Sequence, residues 1–595
     1  MANGMGSLMV GATGLRSSQT ALNTTAHNLS NVNTEGYTRQ QITFADSTYA
    51  NVFSKSLNKG KYGLGVDIDA ISRIRNEFID RSYRTESSRL GFYESQANAV
   101  YEVEDWFGEM QGVTYQKHIT NLYNAVNELT KNPTSTIARS SLIQNATAFI
   151  DRSEAIYSGL KDYQVTLNTE VNNMVEKINS LGQKIYNLNK GIVKVEAEGV
   201  ERANDLRDSR DLALDELSKY IDIDYYETKD GEVIVSAENV PFITKNDIAK
   251  MSVREEGTYG LLIPQWEGYQ QDVYNFDKQA NNANDTDKGK LKGLLIARGV
   301  IEVNYTDIPV MPERADYDLT TEQGMAEYNS AMDAYQQKQD YYNKYIEPSA
   351  ILSAIAGFDK LVNGIVTAMN DVLCPETTMN TTKELTDADG NILKADKYVY
   401  NASTHDVLYD SHGNAVAGKE NGDGTYSYEA SEKLYVDANH EETENIDSMT
   451  YKILDMSKAG YGMDDDETRG VELFKRNGTD RYKQITGADG STIYVRNNLN
   501  VTGFETDYTL GNLIVNPEAS QNVGTLPLST EHGKEDFSKV NELIDTFSNK
   551  FASLNPENYA KADFNTFYND YIGEFATMGS VLTKYVNNQI GRAHV

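Results

Sequence analysis

Apolar residues recur along this chain with two different periods, which separate helical from extended stretches. In the first forty residues Leu8, Leu15, Leu22 and Leu29 stand seven apart, with Gly11, Ala12, Ser18, Thr25, Ala26 and Val32 between them. That spacing predicts a helix with one apolar seam. The surface beside the seam is Ser, Thr, Asn and Gln, so the helix can be buried on several sides without desolvating ions. Alone in water it should be marginal, because Gly, Ser and Thr lower helix propensity.

A second run, Leu167, Val171, Met174, Ile178, Leu181, Ile185, Leu188 and Ile192, alternates steps of four and three and predicts a long helix, in an intramolecular bundle by preference and in an intermolecular coiled coil as the alternative. Further helical patterns cover 85–130, 134–160 and 202–220. The period then changes: Ile221, Ile223 and Tyr225 alternate, and Asp230-Gly231 marks a hairpin before Val233, Ile234 and Val235. Helical spacing returns at 291–374, interrupted by a polar, Tyr-rich insertion at 301–348. Beyond Pro375 the turn signals Asp389-Gly390, Gly413-Asn414, Asp423-Gly424 and Asp489-Gly490 flank short strands such as Lys397 to Tyr400 and Ile493 to Val495. Phe564, Tyr568, Tyr571, Phe575, Met578, Leu582 and Tyr585 then form another helical seam.

These patterns predict a multi-domain α+β chain: an amino-terminal coiled-coil helix and a long-helix bundle, with inserted, outward-facing β domains. Residues 1–36 form the inner-layer helix, 37–220 a helix-rich bundle, 221–290 a small β domain, and 291–374 returning helices with an insertion. Residues 375–540 form Asp/Gly/Asn-rich variable β structure, and 541–589 begin the carboxy-terminal helices. For 590–595 there are two readings. In one, Gly591 caps the last helix. In the other, Ile590, Gly591, Arg592, Ala593, His594 and Val595 are one frame of a sequencing adapter on a truncated gene, outside the fold.

Charge sharpens the picture. Lys+Arg number 55 against Asp+Glu 88 over 595 residues, a net charge of −33, which would repel a phosphate backbone and argues against a nucleic-acid partner. The imbalance is uneven. Arg16, Arg39, Lys55 and Lys59 against Glu35 and Asp46 leave residues 1–60 at +2, whereas 381–470 carry twenty acidic residues against eight basic ones, a net of −12. The first segment suits packing and the second solvent. No run approaches the roughly 18 apolar residues of a membrane span. One cysteine, Cys374, excludes a disulfide framework and a multi-thiolate metal site, and reads as a packed side chain. Met1 to Gly14 lacks a basic start and apolar core, so no general secretory signal is expected.

Catalytic chemistry finds little support. His440-Glu441-Glu442-Thr443-Glu444 has Glu444 where a zinc-protease helix needs its second histidine. Asp387, Asp389 and Asn391 make half a calcium loop, with Gly390 at the wrong offset and no closing glutamate, and read as a turn. No phosphate loop is present. The expectation is a non-enzymatic chain with no catalytic residue, cofactor or metal.

One segment stands out: Asn28-Leu29-Ser30-Asn31-Val32-Asn33-Thr34-Glu35-Gly36-Tyr37-Thr38-Arg39-Gln40. Its Asn, Thr and Gly suit a helix end and tight turn, after which Gln40, Ile42 and Phe44 alternate as a strand. It resembles the signature of the bacterial flagellar axial proteins, the rod, hook and hook-associated family. Gly63-Leu64-Gly65-Val66 leading to Ile71, Arg73 and Phe78, then Ala203-Asn204-Asp205-Leu206-Arg207-Asp208-Ser209-Arg210-Asp211, then Gly289 to Leu295 with Arg298, are similar to its hook-associated members, and Gly462 to Asp464 with Gly470 and Phe474 more loosely so. The likeness covers about residues 1–300 well. It departs at Asn76 and Glu77, where an acidic residue is usual one place earlier, and in the insertions at 301–348 and 375–458.

The resemblance implies a structural adaptor of the flagellum that self-assembles as a ring or helical array and links hook to filament. Its implied partners are further copies of itself, hook protein, the second junction protein, an export chaperone and the type III export apparatus, which delivers it outside the cell without a cleaved signal. Leu8, Leu15, Leu22, Leu29 and Val32 are the expected assembly interface, and Asn28, Asn31, Thr34, Gly36, Tyr37 and Arg39 the family motif, joining the inner helical layer to the next domain. The family ends in a second terminal helix that pairs with the first, and here that helix is missing from the sequence. The alternatives are a hook or distal rod protein of the same family, or a surface adhesin or enzyme carried by 375–530.

Overall fold

In a computed structural model the chain is described at residues 2–52, 60–108, 114–197, 202–257, 260–276, 280–381, 400–401, 419–420, 426–427, 446–447, 449–486, 492–497, 508–554 and 560–594. It divides into two compact units. The first comprises 1–98, 166–300 and 580–595, the second 99–165 and 301–579. Helices joined to several small sheets bear out the α+β class.

The first unit opens with α1 (Ala2–Ser30), then β1 (Gln40–Asp46) and β4 (Val66–Arg73) paired antiparallel, with β2 (Tyr49–Val52) and β3 (Gly60–Gly63) forming an extension of the same hairpin. Along the chain follow α2 (Glu77–Phe107), α3 (Gln116–Leu129), which belongs to the second unit, α4 (Thr136–Glu196) and α5 (Asn204–Tyr220). The predicted helical stretch 85–130 is therefore two helices. Conversely, the predicted 134–160 pattern and the heptad run are one 61-residue helix, α4. Its heptad seam is buried at Leu167, Val171, Ile178, Leu181, Ile185 and Ile192. The seam drifts at one place: Asn189, not Leu188, takes the buried position.

The predicted hairpin forms as β5 (Ile223–Glu227) and β6 (Val233–Ala237), extended by β7 (Val240–Ile243) into a three-stranded sheet. Gly231 takes the positive φ of +84° the turn demands. A second sheet has the order β10 (Gln271–Asp272), β9 (Leu261–Trp266), β8 (Met251–Glu256). Phe242, Trp266 and the helix α6 (Lys290–Arg298) complete this core.

In the second unit α7 (Glu322–Tyr345) occupies the Tyr-rich insertion, and α8 (Ala350–Leu373) is the central helix, buried along Ile351, Ile355, Phe358, Leu361, Val362, Ile365 and Met369. By length and composition α8 is apolar enough to cross a membrane, which corrects the reading that no run comes close. Its apolarity is accounted for by burial, with 72% of that stretch inside the fold. Around it Phe107, Tyr115, Phe149, Tyr568 and Tyr571 pack ring to ring. Strands Glu376–Thr381, Met449–Leu454, Thr492–Arg496 and Tyr482–Thr486 make a four-stranded sheet in that order. Cys374 is fully buried, which pushes its thiol up to about 12. Helix Phe564–His594 runs through Gly591, so that glycine is not a cap.

The turn signals at Asp389, Gly413, Asp423 and Asp489, most of the strand at Lys397, the His440 to Glu444 run and the Asp387 to Asn391 turn lie outside the described residues.

Candidate assembly interface

α1 packs on the β1–β4 ribbon through its small polar side. Thr13, Gly14, Ser17, Thr20, Ala21, Thr24 and Asn28 form the sheltered stripe. Thr13 Oγ1 donates to Leu64 O at 3.2 Å and Ser17 Oγ to Val66 O at 3.3 Å. Gly65, at φ +111°, lets the two backbones close up, with Val10 Cα only 3.2 Å from where a Cβ would stand. The apolar seam points the other way. Leu8, Leu15, Leu22, Leu29 and Val32 are 75, 73, 69, 74 and 69% exposed. An amphipathic helix ordinarily buries its leucines; this one spends its Ser/Thr side on its own chain and leaves the leucines open.

The ribbon follows the expected alternation only in part. A bulge between Thr43 and Phe44 shifts the register, so Ile42 and Ala45 are the sheltered positions and Phe44 turns outward, half exposed. The prediction that Gln40, Ile42 and Phe44 share one face fails at Phe44 for this reason.

The polar motif after α1 forms a compact set of hydrogen bonds. Asn28 Nδ2 donates to Gln40 O and Gln40 N donates back to Asn28 Oδ1, both at 2.9 Å, and Tyr37 Oη donates to the same oxygen at 2.7 Å. Asn31 Oδ1 accepts from Thr34 Oγ1 at 3.1 Å, and Tyr37 N donates to Thr34 O. Gly36 adopts φ +77°, and a Cβ there would lie 3.1 Å from Leu212. Arg39 presents an exposed side chain, and its carbonyl accepts from Ile74 N. Asn28, Thr34, Gly36 and Tyr37 are thus brought together. The five apolar positions lie along one exposed face of α1 and its end.

Sequence reasoning singled out Ala203 to Asp211 only for its likeness, and the structure gives the segment a physical role. Asp208 accepts from Thr38 N at 3.1 Å and Arg73 Nη1 at 2.7 Å, and Arg73 also reaches Asp211 at 2.7 Å. Arg75 pairs with Asp80 at 2.6 Å and stands 3.7 Å from Asp211, while Arg84 holds Asp215 at 2.7 Å. Asn204 Nδ2 donates to Ile71 O at 3.0 Å. Burial pushes the Asp211 carboxyl up, but the Arg75 and Arg73 charges outweigh it and hold it below the usual range. On the neighbouring stripe of α5, Arg207 holds Glu196 at 2.8 Å and lowers it to about 2, and Arg210 reaches Glu227 and Gly231 O. Alternating Arg and Asp at helical spacing was the signal available in the sequence.

Among the described residues no group of three or more His, Cys, Asp or Glu is placed to hold a metal.

Comparison with known proteins agrees with the motif reading. Residues 100–331 match the family described as the flagellar hook-associated protein FlgK helical domain, and residues 8–38 the flagella basal body rod protein family. A flagellar hook-associated protein 1 from Bacillus subtilis is 30% identical over 310 residues, 50% of this chain and 61% of that protein. The Escherichia coli protein of the same name is 26% identical over 219 residues, 36% and 38% of the two chains. The matched stretches thus span less than two thirds of these relatives. The solved hook junction protein FlgK of Burkholderia pseudomallei aligns at TM-score 0.44 and 11% identity over 86% of this chain and 98% of that one. In its rod and helical-domain segments, the chain is thus similar to flagellar hook-associated proteins over part of its length.

Proposed function

We propose that the chain is a structural component of the bacterial flagellum, an adaptor that joins hook to filament by packing and not by turnover. The observation that carries this reading is the open leucine face of α1, whose four leucines are each at least 69% exposed while the helix's small side is already occupied. Burying one such side chain is worth about 1.5–3 kcal/mol, so the face is a surface awaiting other helices. Its partners would be further copies of the chain, hook protein and a second junction protein, after export with a chaperone through the flagellar secretion channel. The names of the relatives support hook association and location at the flagellum, while the individual partners rest on resemblance. Asn28, Asn31, Thr34, Gly36, Tyr37 and Arg39 are proposed to fix the angle at which α1 leaves the ribbon.

The test is complementation of a strain lacking its own junction protein. The full-length protein should restore filament attachment, and Leu15→Asp with Leu22→Asp should abolish it while circular dichroism stays unchanged. Normal filaments from the double mutant would refute the reading.

A further inference from the structure

The amino-terminal arm, α1 with its ribbon through Arg73, is attached to the rest of the first unit in an unusual way. It connects covalently at one place, Ile74 to Asn76. Its own interior holds small residues because the leucines point out, and a two-stranded ribbon is marginal alone. Across to α5 the described bonds are Thr38 N and Arg73 on Asp208, Arg73 on Asp211, Asn204 on Ile71 O, and a long 3.5 Å contact from Gln40 Nε2 to Asp205, beside one apolar approach where Gly36 closes on Leu212. Between them lies an open cavity of about 510 Å³, lined by His27, Gln40, Asn204 and Asp205 as well as by Ile68 and Leu206, so the apolar side chains there do not close into a packed seam. The body side of the same network keeps partners of its own: Arg84 holds Asp215, and Arg207 holds Glu196. The α5 core residues Ala213, Leu214 and Leu217 are fully buried without help from the arm's leucines.

We infer that Asp208 and Asp211, facing Arg73 and the Thr38 amide, form a polar latch on which the arm docks and from which it releases while the α5 body stays folded. Ion pairs at 13% and 8% side-chain exposure are screened less than surface pairs, yet they lack the apolar area that would make docking irreversible. The latch goes beyond the adaptor reading and stands whether or not the chain assembles at a hook.

Amide hydrogen exchange on the full chain tests it, comparing the unmodified protein with Asp208→Asn and Arg73→Gln at low and high salt. Both variants should speed exchange at Thr38, Gln40 to Thr43 and Ile71 to Ile74 at least tenfold, and 0.5 M salt should speed it by a smaller factor because these pairs are only partly screened. Leu214 to Leu217 and the β6 amides should not change. Three results overturn the latch: no acceleration in the arm, equal acceleration in α5 and β6, or an arm already exchanging at the unprotected rate in the unmodified protein.

Discussion

A helical asparagine in this protein repeatedly does the work of a neighbouring strand. Asn28 pairs with both backbone groups of Gln40, Asn179 with both of Met251 at 2.8 and 2.9 Å, and Asn189 with both of Val233 at 2.8 and 3.1 Å. Each satisfies a strand-end N–H and C=O that would otherwise cost about 1–3 kcal/mol if buried unpaired, and each fixes a helix to one register of a sheet. Asn28 is therefore a docking residue of the same kind as those inside the body. A residue of opposite character is Glu238, in the β6–β7 turn at φ +46° and 14% exposed, where it faces Lys292 at 3.9 Å with Asp222, Lys288 and Tyr274 nearby. Burial pushes its carboxyl from the ordinary 4.5 up to about 7, against the pull of Lys292. A folded state that keeps the proton longer than the unfolded chain gains stability that is complete below the unfolded value. That gain is lost as pH rises from about 4.5 through about 7. Glu238→Gln should accordingly be more stable than the unmodified chain at pH 8 by on the order of 2 kcal/mol and nearly equal to it at pH 4.5. Urea unfolding at the two pH values reads this, and an equal effect at both would show that Glu238 ionises normally.

At the scale of elements, α4 was the easiest to read and also hid the most. Its alternating steps of four and three located the core face, since burial follows period. Three things escaped that pattern: the continuity with 134–160, because polar residues between two apolar runs look like a break; the asparagines, because hydrophobicity does not mark them; and the small positions. Gly182 on α4 lies against Phe242, where a Cβ would meet ring carbons at 2.5 and 2.9 Å. In an exposed helix Gly→Ala stabilises by about 1 kcal/mol. Here the buried ring cannot move aside, so Gly182→Ala should destabilise by about 1–3 kcal/mol, read as a lowered midpoint in thermal unfolding. A raised midpoint would mean that helix and sheet adjust at no cost. The ribbon shows the same limit of pattern reading. Alternation predicts β1, but a bulge leaves little trace in residue types, so the same alternation puts Phe44 on the wrong face. In α1 the leucine spacing was legible. Which side faces the protein's own ribbon was not, because it depends on close backbone approach at Gly65 and on hydroxyl bonds from Thr13 and Ser17. The role of Ala203 to Asp211 depended on partners more than a hundred residues away, which no local pattern reports.

For the whole molecule, charge and the open helix face act against each other. At a net charge of −33 any two copies repel, and unscreened repulsion works over a Debye length of about 8 Å at physiological salt. Residues 2–34 contain no Asp or Glu, only Arg16 and His27 among ionisable side chains, so α1 is where another copy can approach without meeting a carboxylate on the helix itself. Association through the leucines should then be apolar in origin and opposed by long-range charge, a combination that salt favours. Raising sodium chloride from 20 to 300 mM should strengthen self-association in sedimentation equilibrium about tenfold, and Leu22→Asp should abolish it at both concentrations. Ion-paired docking between copies would have the reverse dependence, with association falling as salt rises. Retention of association in the Leu22→Asp chain would place the contact on another surface altogether.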